Sequence, residues 1–304
     1  MSEKEIQALI SLIDDPDENI YQHVKEKIIA FGGNIIPHLE NIWENNSFGM
    51  LFQERIEDII HKIQYDNVYA SMHSWRKQGG IDLLEGAVIV AKYQYPDLDE
   101  LEVKNAILKI RQDIWLELND NLTALEKIAI FNQIIFTTHG LKGNKINYHA
   151  PQNSFINNVL ESKKGNPLLL SIIYIVLAES LDIPIYGVNL PNHFILAYLD
   201  QYNIVKLIEK EIAKANDPKK SNSDVLFYIN PFSNGAILHN NEITNFLIHL
   251  KLDPKPEFYN PCSNVSIIKR LLNNLIFSYD KLGYPDKVSE IKELLTALYI
   301  PGAE

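Results

Sequence analysis

The longest apolar segment of the chain lies near its middle, in KKGNPLLLSIIYIVLAES (163–180). This run is longer than a typical strand, yet it falls well short of the ~20 residues that a helix needs to cross a bilayer. Asn166 suits a helix N-cap, and Pro167 suits the first helical position because the N–H it lacks has no partner there. The helix is apolar on nearly all sides, so we expect it to be buried.

Strand-forming sequences follow this helix. IYGVNL (185–190) and HFILAYL (193–199) are rich in β-branched and aromatic residues, and the turn sequence NLPN lies between them. VLFYIN (225–230) predicts a third strand, after a polar segment over 209–224 that we interpret as a surface insertion. These patterns predict an α+β core in which the buried helix packs on a small antiparallel sheet.

Helical periodicity dominates the first half of the chain. Four short amphipathic helices fill residues 1–75, and they predict either a HEAT-type helical region or an irregular helical bundle. The period continues over 81–91, 101–115 and 122–136, and it stops in THGLKGNKINYHAPQNS (138–154), which predicts a long loop. The whole chain is therefore expected to be predominantly helical.

Two further periodic segments flank KLGYPD and predict a C-terminal helical hairpin. The predicted organisation is a HEAT-like helical region over 1–75, a helical subdomain over 76–150, a core over 151–255 and a hairpin over 262–304.

Composition and charge exclude several classes of protein. The net charge of −11 disfavours nucleic-acid binding, which depends on clustered Lys and Arg, and no segment is long enough to span a membrane. The single cysteine, Cys262, cannot form an internal disulfide, and it indicates a reducing compartment. The first residues lack a secretory signal pattern, so we expect a cytoplasmic protein. No metal-ligand spacing or phosphate loop is present, and no cofactor is expected.

The order of the central elements matches a known catalytic arrangement. Cysteine hydrolases and transferases of the papain and transglutaminase type place a thiol at a helix N-terminus, where the helix dipole lowers its pKa. They place a histidine on a neighbouring strand as the base, and an Asp or Asn on the next strand to orient that histidine. In this chain His193 begins the second strand and Asn230 ends the third.

The segment YHAPQNSFINNVLESKKGNPLLLSIIYIVLAESLDIPIYGVNLPNHFILAY resembles the transglutaminase-like core of the bacterial SirB family, and the likeness extends from about residue 81 to the C-terminus. The positions that carry the resemblance are Asn153 and Ser154, Lys164 and Gly165, Ile183 and Pro184, Val188 to Phe194, and Asn230 to Phe232. It implies a transglutaminase-like, papain-like fold with helical flanks, and a cleft in which His193 and Asn230 are the second and third members of a catalytic triad.

The same resemblance implies that the nucleophile is missing. The family pattern puts the catalytic thiol at about Pro167, which has no group that can attack a carbonyl. Two further departures are Asn192, where the family has Gly, and Asn230, where it has Asp. Ser171 lies one helical turn beyond Pro167, and we expect its hydroxyl to bond back to the i−4 carbonyl rather than to react.

We expect five polar residues either to line the same cleft as binding residues or to cap loops, namely Asn153, Ser154, Asn166, Asn189 and Asn192. The leading hypothesis is a non-catalytic module that binds an unknown protein or peptide. The alternatives are a hydrolase of the same clan that uses Ser171 or a water activated by His193, and an inert helical scaffold. The oligomeric state is open.

Overall fold

The computed structural model describes residues 3–45, 49–200 and 224–300, and the chain divides into two compact units, Met1–Ser74 and Trp75–Glu304. The polar insertion predicted over 209–224 lies, apart from its last residue, outside the described ranges. Helices dominate both units, and the strands lie in the second. The predicted α+β class, mostly helical, is confirmed. None of the helices in the described ranges is long and apolar enough to span a bilayer.

The first unit consists of helices whose apolar faces meet in one core. Its helices are α1 (Glu3–Ser11), α2 (Glu18–Ile29), α3 (Ile36–Asn45) and α4 (Met50–Lys77), the last of which runs past the end of the unit. Asp17 caps α2 by accepting a hydrogen bond from the Asn19 amide, which satisfies one of the free N–H groups of the first turn. The sequence period puts Ile20 on the buried face of α2, but Ile20 is 40% exposed and the neighbouring Tyr21 is buried instead.

In the second unit eight helices surround the strands within the described ranges. They are α5 (Leu83–Lys92), α6 (Glu100–Glu117), α7 (Ala124–Asn132), α8 (Ile156–Ser162), α9 (Pro167–Glu179), α10 (Asn240–His249), α11 (Asn264–Leu282) and α12 (Pro285–Thr296). The predicted buried helix is α9, whose residues from Pro167 to Ala178 are all buried. The predicted C-terminal hairpin is formed by α11 and α12, and Gly283 ends α11 with a φ of 78°.

The main sheet has four antiparallel strands in the order β3-β4-β5-β6. These are β3 (Ile185–Leu190), β4 (His193–Leu199), β5 (Val225–Asn230) and β6 (Ala236–Leu238). The first three have the bounds that the sequence pattern predicts. In the register Leu190 pairs with His193 across the β3–β4 turn, and Leu196 pairs with Ile229. His193 therefore begins its strand at the edge of the turn, as the sequence predicts.

Different helices cover the two faces of this sheet. Ile195, Ala197 and Tyr228 lie in one apolar cluster with Ile243 and Leu247 of α10. On the other face Gly187 approaches Phe194 and Ile267 of α11 so closely that a Cβ at Gly187 would lie 2.6 Å from the Phe194 ring. Helix α9 also packs against β3 and β4. The N-terminus of α9 and the start of β4 thereby come to the same end of the core.

Several short elements were not predicted. The predicted helix over 122–136 is α7 followed by a π-helical turn, Gln133–Thr138. The long loop contains β1 (Lys142–Gly143), which pairs in parallel with β2 (Lys164–Gly165), and a 3₁₀ turn, Pro151–Ser154. Helix α8 has only seven residues and β6 only three, which is too few for a hydrophobic period to be recognised.

The turn between β5 and β6 is bonded to Asn132 at the end of α7, which in turn contacts Tyr174 in the middle of α9, and this link can be tested by mutation. The Asn132 amide donates a 2.9 Å hydrogen bond to the Gly235 carbonyl and its oxygen accepts one from the Tyr174 hydroxyl. Gly235 has a φ of 75°, and a Cβ there would lie 1.8 Å from Asn132 Oδ1. Gly140 has a similar φ of 71° but has open space around it.

We expect Gly140→Ala to lower the free energy of unfolding by about 1 kcal/mol, because it introduces only backbone strain. Gly235→Ala should lower it by about 3 kcal/mol, since the clash also displaces Asn132 from two hydrogen bonds. The thermal midpoints should fall by about 3 °C and about 9 °C respectively, measured by circular dichroism. Equal shifts for the two variants would show that the Asn132 contact contributes nothing.

Candidate functional site

Helix α9 begins at a corner that is held by the side chain of Asn166. Asn166 caps the helix, its Oδ1 accepting a 2.8 Å hydrogen bond from the Leu169 amide, and Pro167 takes the first helical position as predicted. The Asn166 side-chain amide donates a 2.8 Å hydrogen bond to the Ser154 hydroxyl. Gly165 allows close packing before the helix, because a Cβ there would lie 3.0 Å from Val159.

Asn153 and Ser154 support this corner from behind. Asn153 is buried, and its side chain donates hydrogen bonds to the Asn147 and Tyr148 carbonyls and accepts one from Asn144. Ser154 is buried beside Asn166. Neither residue lines the cleft described next, although the sequence allowed a binding role for both. Of the two roles expected for them, the hydrogen bonds correspond to loop-capping.

A cleft of about 780 Å³ opens beside the start of α9. Its apolar part consists of Tyr148, Ala150, Pro167, Leu168, Leu190, Pro191, Phe194, Phe258 and Phe277. Its polar part consists of His149, Asn166, Asn189, Asn192, His193, Ser266, Lys269, Arg270, Asn273, Asn274 and Ser278. The walls are thus the start of α9, the β3–β4 turn, the end of the loop before α8, and one face of α11. This size is typical of a ligand-binding pocket.

Five of the sequence-predicted residues line this cleft together, namely Pro167, His193, Asn166, Asn189 and Asn192. Asn192 has a φ of 57°, in the left-handed region that Gly adopts freely and Asn tolerates better than most other residues. Asn192 therefore fits a turn position at which the resemblance implies Gly. The replacement also adds an exposed amide to the rim of the cleft.

Ser171 lies one turn beyond Pro167 in α9, and Cys262 carries the one thiol of the chain. The Ser171 side chain is fully buried, and its hydroxyl donates a 2.8 Å hydrogen bond to the Pro167 carbonyl, which is the i−4 bond predicted from the sequence. Burial raises the pKa of the Cys262 thiol to about 11, so only about one thiol in ten thousand is ionised at pH 7. Neither residue lines the cleft.

His193 lies on the face of the sheet that packs against α10, and its ring is 6.0 Å from the Phe246 ring. Burial lowers its pKa below the usual value, and the positive charge of Arg270 lowers it further. The imidazole is therefore neutral at pH 7. A neutral imidazole can accept a proton, but a triad base also needs a partner that fixes its tautomer.

The Asn230 side chain is bonded to its own turn. Its side-chain oxygen accepts a 3.2 Å hydrogen bond from the Phe232 amide and so caps the short turn Pro231–Ser233. Within the described part of the chain, Asn230 makes no hydrogen bond to His193, and it does not line the cleft. The sequence order of helix, His193 and Asn230 is thus present without the contact between the last two.

Sequence reasoning missed the charged wall of the cleft. Arg270 and Lys269 belong to α11, eighty residues after the β3–β4 turn, and Arg270 donates hydrogen bonds to Asn189 and to the Leu190 carbonyl, the latter of 2.7 Å. The only signal in the sequence is the basic pair inside the amphipathic segment IIKRLLNNL, in a strongly acidic chain. In the described ranges no three His, Cys, Asp or Glu side chains converge as possible metal ligands.

The environment of His193 predicts a measurable titration. Its pKa should lie below 6.5 in the folded protein, and Arg270→Gln should raise it only in part, since burial is the larger cause. Because folding then excludes a proton, the stability linked to His193 is complete above pH 6.5 and is lost as the pH falls through the folded pKa. Proton–carbon NMR of the ring, assigned with His193→Gln, measures it; a pKa at or above 6.5 would contradict the burial.

Comparisons with known proteins agree with this fold. A family model described as the transglutaminase-like superfamily matches residues 101–273, more than half of the chain. A UPF0162 protein of Xylella fastidiosa is 33% identical over 116 residues, 38% of this chain and 41% of the relative. A UPF0162 protein of Vibrio cholerae is 23% identical over 63% of this chain and 64% of its own length.

The mouse F-box only protein 21 is 31% identical over 67 residues, 22% of this chain and 11% of its own. The matched segment thus spans about two fifths of the Xylella relatives and a smaller share of the mouse protein. No solved structure gives a significant match. The transglutaminase-like resemblance identified from the sequence is confirmed, and the chain belongs to the transglutaminase-like superfamily.

Proposed function

We propose that this protein is a non-catalytic member of the superfamily, of the SirB type, whose cleft binds a segment of a peptide or protein. The observation that carries the proposal is Pro167, a residue without a reactive group, at the first position of α9 on the wall of an open cleft. We retain a cytoplasmic location as part of the proposal, based on the single cysteine.

The geometry near Pro167 supports the loss of thiol chemistry. A catalytic thiolate in this fold is stabilised by free N–H groups at the helix start. Here Pro167 has no N–H, and the Leu169 amide already donates to Asn166. Ser171 and Cys262 offer no replacement nucleophile, since one is buried and back-bonded and the other has a raised pKa.

The composition of the cleft supports binding of an extended peptide. Phe277 is 54% exposed and Tyr148 is 39% exposed, which leaves aromatic surface in contact with solvent. Asn192, Asn273 and Asn274 present side-chain amides that both donate and accept hydrogen bonds, as a peptide backbone requires. Aromatic anchors within a polar rim are typical of protein-recognition sites.

The alternative is a hydrolase that uses Ser171 or a water activated by His193. The lowered pKa of His193 favours the water version, because the ring is then a neutral base at pH 7. A general base alone accelerates a reaction by only about 10²- to 10⁴-fold, and Asn230 does not hold this one in place. The burial of Ser171 counts against the serine version.

The first test is enzymatic. The purified protein, incubated with a glutamine-containing peptide and a primary amine, should release no ammonia and no cleaved peptide above the buffer control. His193→Ala should give the same result as the unchanged protein. Activity that His193→Ala abolishes would support the alternative and refute the non-catalytic proposal.

The second test is binding. End-capped hexapeptides of randomised sequence are passed over immobilised protein, and retained peptides are quantified by mass spectrometry. Phe277→Ala should lower retention about tenfold, because truncating an aromatic anchor removes most of its contact. Leu101→Ala removes an equally exposed side chain, 61% accessible, on α6 outside the cleft and should change nothing. Equal retention by both variants would exclude the cleft as the binding site.

A further inference from the structure

The charge of the cleft is opposite to that of the protein. The chain carries a net charge of −11. Yet no cleft-lining residue in the described ranges has a carboxylate, whereas Lys269 and Arg270 line it and carry positive charge. A cleft lined by one sign of charge concentrates ligands of the other sign. The lining therefore points to a ligand that is negatively charged.

Arg270 is held in place by hydrogen bonds from one nitrogen of its guanidinium, which leaves the other two nitrogens available to a ligand. Its Nη1 donates to the Asn189 side chain and to the Leu190 carbonyl, which fixes the guanidinium against the β3–β4 turn. Its guanidinium carbon lies 5.7 Å from the centre of the Phe194 ring. In the part of the chain that the structure describes, Nε and Nη2 have no hydrogen-bond partner. Together these two nitrogens form the edge that binds two carboxylate oxygens at once.

Arg55 in the first unit makes similar hydrogen bonds, but its guanidinium is also paired with a carboxylate of the protein. Its Nη1 donates to the Ile13 and Asp15 carbonyls, much as the Arg270 Nη1 donates to two oxygens. Its Nη2 then makes a 3.0 Å ion pair with Glu18. In the described ranges Arg270 has no carboxylate partner. Burial lowers the pKa of Arg270, as expected of a cation removed from water without an anion beside it.

We propose that Arg270, assisted by Lys269, binds a side-chain carboxylate of the peptide held in the cleft, so that the ligand is an acidic peptide segment. This inference rests on the proposed function and specifies its ligand. Lys269 is exposed on the same helix and supplies a mobile second charge. The amides of Asn273 and Asn274 lie further along the cleft and suit the peptide backbone.

The geometry favours a carboxylate over a phosphate. Phosphate sites use several converging donors, above all free backbone amides at a helix start. Pro167 has no N–H, and the Leu169 amide donates to Asn166, so α9 offers no such set of amides. One planar guanidinium edge instead matches the two oxygens of a carboxylate.

The test compares two pools of end-capped hexapeptides, randomised except for two central residues that are Glu in one pool and Gln in the other. We expect the Glu pool to be retained at least tenfold better, and less so as sodium chloride is raised from 50 to 300 mM, about the range over which surface charges become screened. Arg270→Gln should abolish this preference, and Arg270→Lys should restore it only in part because it cannot bind two oxygens at once. Lys269→Gln should reduce it about threefold.

Lys109→Gln is the matched control, since it removes one exposed positive charge from α6 without touching the cleft, and it should leave the preference unchanged. Arg270 also ties α11 to the sheet, so the thermal midpoint of each variant is measured. If Arg270→Gln does not fold, the decision rests on Arg270→Lys and on Lys269→Gln, whose side chain is exposed.

The outcomes separate the inference from the function on which it rests. Equal retention of both pools, still reduced by Phe277→Ala, would overturn the carboxylate preference and leave peptide binding intact. Retention of neither pool would overturn both. Displacement of the Glu pool by 10 mM inorganic phosphate but not by 10 mM acetate would show a phosphate site and would also overturn the inference.

Discussion

The buried start of α9 is the constraint on which the rest of the second unit depends. A helix start exposes backbone N–H groups, and an unpaired one in an apolar interior costs about 1–3 kcal/mol. Asn166 and Pro167 remove that cost by bonding one donor and deleting another. Because the Asn166 amide also bonds to Ser154, the preceding loop is held against the helix. The same two residues that cap α9, Asn166 and Pro167, therefore also form one wall of the cleft.

The parts of the fold that the sequence predicted best are those with strong local signals. The bounds of β3, β4 and β5 follow from runs of β-branched and aromatic residues that are bounded by Pro, Asn or Asp. Helix α8 and strand β6 are too short to show a period, and β1 and β2 pair only because the corner brings them together. Ile20 shows the limit of periodicity, since it lies four residues before the buried Val24 and yet is exposed, whereas Tyr21 is buried.

The candidate site was predictable only where chain order determines position. Pro167, Asn189, Asn192 and His193 reach one cleft because a helix start and a tight turn meet at the same end of the core. The side chains of Asn153 and Asn230 instead form hydrogen bonds with nearby backbone groups. The order of elements in the sequence does not show whether an Asn side chain bonds to its own loop or points into a cleft. Arg270 contacts a turn eighty residues away, and such a pairing carries no local signal.

The proline at the start of α9 also changes which element supplies positive charge to the cleft. In a thiol-bearing site of this fold, the N-terminal amides and the helix dipole stabilise the anion. Here one amide is missing, another is bonded to Asn166, and the positive charge comes from Arg270 on α11. Burial, and to a smaller extent Arg270, lowers the pKa of His193, so the cleft is poorer in imidazolium and keeps its guanidinium. A fixed cation beside a neutral histidine is consistent with the proposed binding of an anionic group.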